Sequence, residues 1–87
     1  MKNSVTPNDI QQLIDTAEIS VETKFDKVTV VVCKLANGFV ITEASGAVDP
    51  ANYSEEIGKD VCMERIKNKL WELEGYKLQC KIYEEMK

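Results

Sequence analysis

Val28-Thr-Val-Val-Val-Cys33 and Phe39-Val-Ile-Thr42, joined across Asn37-Gly38, decide the fold of this chain. Asn-Gly supplies the positive φ angles that a two-residue hairpin turn demands, and β-branched runs on either side fit a pleated surface. A two-residue turn places Leu35 opposite Val40 and Cys33 opposite Thr42. Val28, Val30 and Val32 then share a face with Phe39 and Ile41. Both faces of the hairpin are therefore partly apolar. One takes the helices, and the other asks for a cover, which a second copy of the chain would supply, so a homodimer is expected.

Upstream of the hairpin, Ile19, Val21 and Thr23 alternate with Ser20, Glu22 and Lys24, which predicts a strand that turns back at Asp26. Residues 19–45 thus read as antiparallel strands in a three-stranded meander. Thr6-Pro7-Asn8-Asp9 has the chemistry of a helix start, with Thr6 as N-cap, Pro7 at the first helical position and Asp9 against the positive helix end. Ile10, Leu13, Ile14 and Ala17 follow at helical spacing, giving a helix over 7–18, and Val5 with Ile10 suits a hydrophobic staple. Downstream, Ser45-Gly46-Ala47-Val48 reads as a loop. A long helix over 50–74 opens at Asp49-Pro50 or at Asn52-Tyr-Ser-Glu55, with Ile57, Val61, Cys62, Ile66, Leu70 and Leu73 as its buried stripe. Gly75 is placed to end that helix in the left-handed conformation, with Trp71 and Tyr76 touching across the cap. Residues 76–86 alternate like a strand and also fit a helix; a short terminal helix is the expectation. The fold class is α+β, in one domain spanning 1–87.

At 87 residues there is room for one core, and 44% hydrophobic with 30% charged residues is a globular composition. The net charge of −4 argues against direct nucleic-acid binding, which needs clustered Lys and Arg to displace counterions from phosphate. The odd count of cysteines, Cys33, Cys62 and Cys80, has no CxxC spacing, so neither a disulfide framework nor a zinc clip is indicated, and all three read as buried thiols in a reducing compartment. The start of the chain carries no apolar signal segment and no run is long enough to span a bilayer, so a cytoplasmic location without membrane contact is expected.

Chemistry-bearing patterns are sparse. The chain has no histidine, which removes the commonest general base and the usual partner of serine and cysteine nucleophiles. Glu56, Asp60 and Glu64 recur every four residues and with Glu55 form a carboxylate set that could hold a divalent cation; interleaved Lys59, Arg65 and Lys67 make a solvated helix face the better reading. The glycines form no phosphate-binding fingerprint, and Gly58 inside a helix suggests close approach of another backbone. Arg65, Lys67 and Trp71 form a patch suited to an anionic ligand or an acidic partner. No catalytic, cofactor or metal site is expected.

Four motifs in series, Asn37-Gly38-Phe39, Asp49-Pro50-Ala51-Asn52-Tyr53, Glu56-Ile57-Gly58-Lys59 and Leu70-Trp71-Glu72-Leu73-Glu74-Gly75-Tyr76, resemble a family of small tailed-phage proteins named for products of coliphage N-four and Shigella phage Sf-six. The resemblance covers roughly residues 19 to 80 and implies a phage or prophage origin. The chain departs from the family pattern at Val31 and Ala47, where cysteines often stand, and at Ser54, often an aspartate. The expectation that follows is a non-enzymatic phage accessory protein in the host bacterial cytoplasm that binds a host protein and blunts an anti-phage defence. Its candidate partner-binding residues are Phe39, Glu55, Glu56, Lys59, Asp60, Arg65, Lys67 and Trp71. The alternative is a nucleotide-sequestering protein using Lys59, Arg65 or Lys67, and a DNA-binding regulator comes third.

Overall fold

The computed structural model describes residues 3–87, and its element order is helix α1 (Pro7–Asp15), strands β1 (Glu18–Lys24), β2 (Val28–Lys34) and β3 (Val40–Gly46), a single 3-10 turn at Pro50–Asn52, and helix α2 (Glu55–Met86). The strands form one antiparallel sheet in the order β1-β2-β3. It is the α+β meander expected from the sequence, with the long C-terminal helix laid across one sheet face.

Helix α1 starts as its sequence dictates. The Asp9 amide donates to the Thr6 hydroxyl at 3.2 Å, and the Thr6 amide donates to the Asp9 carboxylate at 2.9 Å. These reciprocal bonds satisfy donors that an uncapped helix end would leave orphaned. The helix stops at Asp15 rather than 18, because Glu18 is already paired with Lys34 in the sheet.

The Asn37-Gly38 turn is one residue longer than expected. Gly38 donates to the Leu35 carbonyl at 2.8 Å and Leu35 donates to the Phe39 carbonyl at 2.8 Å, so three residues, 36 to 38, span the loop. Gly38, at φ 93°, occupies the bulge position that closes a type I turn. The extra residue slips the register by one: Lys34 pairs with Val40, Cys33 with Ile41 and Val32 with Thr42. Ile41 therefore lies on the face of Cys33, not with Val30 and Val32, and it is buried. At the other end of β2 the turn has Phe25 and Asp26 both at φ 56°. Left-handed backbone at a bulky residue is costly, yet the Phe25 side chain is almost fully exposed.

The core lies between the sheet and α2. Val31, Cys33, Leu35 and Ile41 meet Cys62, Ile66 and Leu70, with Ile10 of α1 closing one side and Leu13, Ile14 and Met63 packed around it. Full burial of a side chain such as Ile66 or Leu70 contributes about 1.5–3 kcal/mol. Gly58 starts the buried stripe of α2 because a Cβ there would stand 2.7 Å from the Thr29 Cβ. Ile57, which the periodicity alone puts inside, is 66% exposed.

Helix α2 begins later and ends later than the sequence suggests. Asp49 caps the 3-10 turn, and the hydroxyl of Ser54 caps α2 by accepting from the Ile57 amide at 3.3 Å. The helix then runs unbroken through Gly75 for 32 residues, so the expected stop at 74, the cap contact of Trp71 with Tyr76 and a separate terminal helix are all replaced by one rod. At 1.5 Å per residue it is about 48 Å long. The molecule is accordingly elongated, 56 × 21 × 19 Å.

Candidate docking surfaces

The sheet has a covered face and an open one. Thr29, Val31 and Cys33 point to α2 and are buried, whereas Val28, Val30 and Val32 point the other way and are half-buried. The paired residues that share the open face are Ser20, Glu22 and Lys24 on β1, and Val40, Thr42 and Ala44 on β3. Helix α2 packs on β2 and β3, and α1 packs on α2, so among the described residues no helix reaches this face. Its apolar centre is a valine stripe rimmed by charges: Lys24 meets Glu22 at 2.9 Å, and Glu18 stands across from Lys34 in the strand register.

A second apolar surface forms where α2 leaves the sheet. Phe39, Val40 and Ile41 at the hairpin tip face Lys69, Glu72, Leu73 and Tyr76 across a cleft of about 570 Å³. Phe39 and Leu73 also border a second cleft with Leu13 and Leu35, and Leu13 continues into a third between α1 and the Glu74-to-Lys81 stretch of α2. The three form a collar around the helix. Within it Phe39 is 51%, Leu73 42% and Tyr76 72% exposed. Beyond Tyr76 the helix is without the sheet, and Cys80 and Tyr83 prolong the stripe as exposed residues. Cys80 thus corrects the expectation of three buried thiols. Interaction with Cys80 one helical turn away holds the Tyr76 phenol above its ordinary pKa.

The candidate residues separate into groups. At 100° per residue, Glu56, Asp60, Lys67 and Trp71 fall together with Glu64 on the outer face of α2. Arg65 turns to the sheet edge, where its guanidinium donates to the Ala44 carbonyl at 2.8 Å, and Lys59 falls on the opposite flank of the helix, so Lys59, Arg65 and Lys67 do not converge. Glu55 accepts from the Thr23 hydroxyl, and Tyr53 bridges Thr23 and Thr29 at 2.7 Å each, which pins the start of α2 to the sheet. Phe39 belongs to the collar, at the far end. Sequence reasoning missed Leu73, Tyr76 and Tyr83 as surface residues, since a helix ending at Gly75 gave them no common face.

Among the described residues no three carboxylate, thiol or imidazole groups gather as a metal site, and Glu56, Asp60 and Glu64 run along the helix rather than around a point. Burial pushes the Cys33 and Cys62 thiols up, away from the thiolate that nucleophilic chemistry needs. Among the described residues no helix is long and apolar enough to cross a membrane.

Residues 5–82 match the model of the phage protein (N4 Gp49/phage Sf6 gene 66) family. The chain belongs to this family. As a member of the N4 Gp49/Sf6 gene 66 family it is a phage protein, and the match runs from the staple residue Val5 through the whole sheet to Ile82 near the end of α2. No curated protein and no solved structure matches the chain.

Proposed function

We propose that this phage protein is a non-enzymatic accessory protein that binds a host protein through its open sheet face and so blunts an anti-phage defence. The valine stripe Val28, Val30 and Val32 carries the proposal. It is an apolar surface at the centre of the sheet, uncovered by any helix among the described residues, and at its rim Lys24 is paired with Glu22. Flat apolar patches rimmed by polar residues are the usual mark of a protein-protein site. The phage origin makes the host the source of the partner, and the paucity of catalytic groups favours occupancy of a target over chemistry on it. Lys59, Arg65 and Lys67 diverge, which weighs against nucleotide sequestration.

A tagged pull-down from host lysate tests this reading. The wild-type protein is expected to retain one stoichiometric host protein, and Val30→Glu, which sets a charge in the stripe without entering the core, is expected to lose it. Capture that survives Val30→Glu would refute the sheet-face assignment. Charge reversal at Glu56 and Asp60 tests a competing contact, in which carboxylates on α2 imitate nucleic-acid phosphates toward a basic groove of the host protein: there it would abolish capture, whereas with the valine stripe as the contact affinity stays unchanged.

A further inference from the structure

We propose that two copies of this chain pair edge to edge through β1, antiparallel about a two-fold axis at Val21, so that their sheets join in the order β3-β2-β1-β1-β2-β3. The contact lies in the plane of the sheet and leaves both valine stripes uncovered, so it stands independently of the host partner.

The two edges of the sheet differ. At β3 the Arg65 guanidinium donates to the Ala44 carbonyl at 2.8 Å and Lys69 reaches Glu43 at 2.5 Å, so side chains of α2 guard that edge. At β1, among the described residues, no strand pairs with the outer side, and α2 packs on β2 and β3. The Lys24 carbonyl accepts from the Lys27 amide at 3.1 Å in the turn to β2, so Lys24 directs its backbone groups inward. By the alternation of an antiparallel ladder, Glu18, Ser20 and Glu22 do the same, and Ile19, Val21 and Thr23 present N–H and C=O to the free edge. Every residue of this strand except Val21 is exposed, and it holds neither proline nor bulge. Such an edge is a template for another strand.

Charge selects the second copy as that strand and fixes its register. With the axis on Val21, Val21 meets Val21 of the second copy, Ser20 meets Glu22, Ile19 meets Thr23 and Glu18 meets Lys24, each unlike pair occurring twice. The whole of β1 is then paired. An axis on Ser20 would set Glu18 against Glu22, and one on Glu22 would set Glu22 against itself, both unfavourable. Axes on Ile19 or Thr23 would leave most of the strand unpaired. Glu18 makes no ion pair among the described residues. Lys24 holds Glu22 at 2.9 Å, and its ammonium has three donors, so it keeps that partner while taking Glu18 of the second copy. On the other face Val21 packs at the margin of the core, and the Val21 pair brings the two margins together. Thr23 contributes only its backbone there, so its hydroxyl stays with Tyr53 at 2.7 Å.

Sedimentation equilibrium of the full chain tests the pairing. The expected mass is twice the 9.8 kDa of one chain, and a monomer at all concentrations would overturn the proposal. Glu18→Lys sets ammonium against ammonium twice and is expected to weaken the dimer roughly tenfold, while Glu18→Lys with Lys24→Glu restores it. An unchanged Glu18→Lys dimer would refute the register. Disulfide trapping gives an independent arm, with Val21→Cys and Ile19→Cys each made beside Cys80→Ser. Position 21 faces itself across the axis at a Cα separation of about 5.5 Å, within disulfide reach. Position 19 is displaced from its own copy by four residues, about 13 Å along the strand. Mild oxidation is therefore expected to link the Val21→Cys protein and to leave the Ile19→Cys protein unlinked; the reverse would overturn the arrangement. A wild-type chain that stays monomeric alone, yet captures a host protein that Glu18→Lys loses, would overturn self-pairing in favour of a foreign strand.

Discussion

The same substitution, Gly→Ala, is expected to have opposite signs at two positions of α2. Alanine is favoured over glycine in a helix interior by about 1 kcal/mol, because glycine loses more backbone entropy on folding. At Gly75 nothing lies within 4 Å of where a Cβ would stand, so Gly75→Ala collects that gain and raises stability by about 0.5–1 kcal/mol. At Gly58 the new Cβ would lie 2.2 Å from Thr29 Oγ1 and 2.7 Å from Thr29 Cβ. Thr29 cannot turn aside: it is fully buried in the central strand and its hydroxyl is bonded to Tyr53 at 2.7 Å. The helix must back away from the sheet, which costs about 1–3 kcal/mol in overpacking and strains the Thr29–Tyr53–Thr23 chain that pins it. Net of the propensity gain, Gly58→Ala is expected to destabilise by up to about 2 kcal/mol. For a domain this size that is a fall in Tm of up to about 16 °C. Urea and thermal unfolding of both variants at one protein concentration provide the assay, and Thr29→Ala should partly rescue Gly58→Ala in a double-mutant cycle. Equal signs at the two positions would refute the close helix-sheet approach at Gly58.

Further outcomes follow from burial and backbone geometry. A thiol reagent added to the native protein should modify Cys80 quickly and leave Cys33 and Cys62 until the chain unfolds; rapid titration of two thiols would contradict the core packing. The buried thiols also set an alkaline limit. Their folded pKa values lie above the ordinary 9.0, so the unfolded chain loses protons first, and stability that is intact below pH 9 is expected to decline as pH rises through the raised values. Replacing both by alanine should flatten that slope in urea titrations between pH 8 and 10. Phe25→Asn, at φ 56° in an exposed turn, should stabilise the fold by about 1 kcal/mol, since asparagine tolerates the left-handed region better, and a lower Tm in this variant would contradict the turn geometry.

The parts of the fold that were legible in the sequence are those fixed by local chemistry. Thr6-Pro7-Asp9 carries its own capping bonds, and Asn37-Gly38 between two β-branched runs has few alternatives to a hairpin. The register was not legible, because Asn-Gly suits both a two-residue turn and the last two positions of a three-residue loop with a bulge. One residue of difference carries Ile41 across the sheet. What separates the options is tertiary: only the longer loop puts Ile41 on the face where Val31 and Cys33 are buried. Gly75 misled for a related reason. A glycine stops a helix when something else gains from the stop, and here no proline follows and nothing in the fold meets the helix at that point, so propagation through Gly75 costs about 1 kcal/mol and continues. That one difference converts Leu73, Tyr76, Cys80 and Tyr83 from a cap and an ambiguous tail into a continuous stripe.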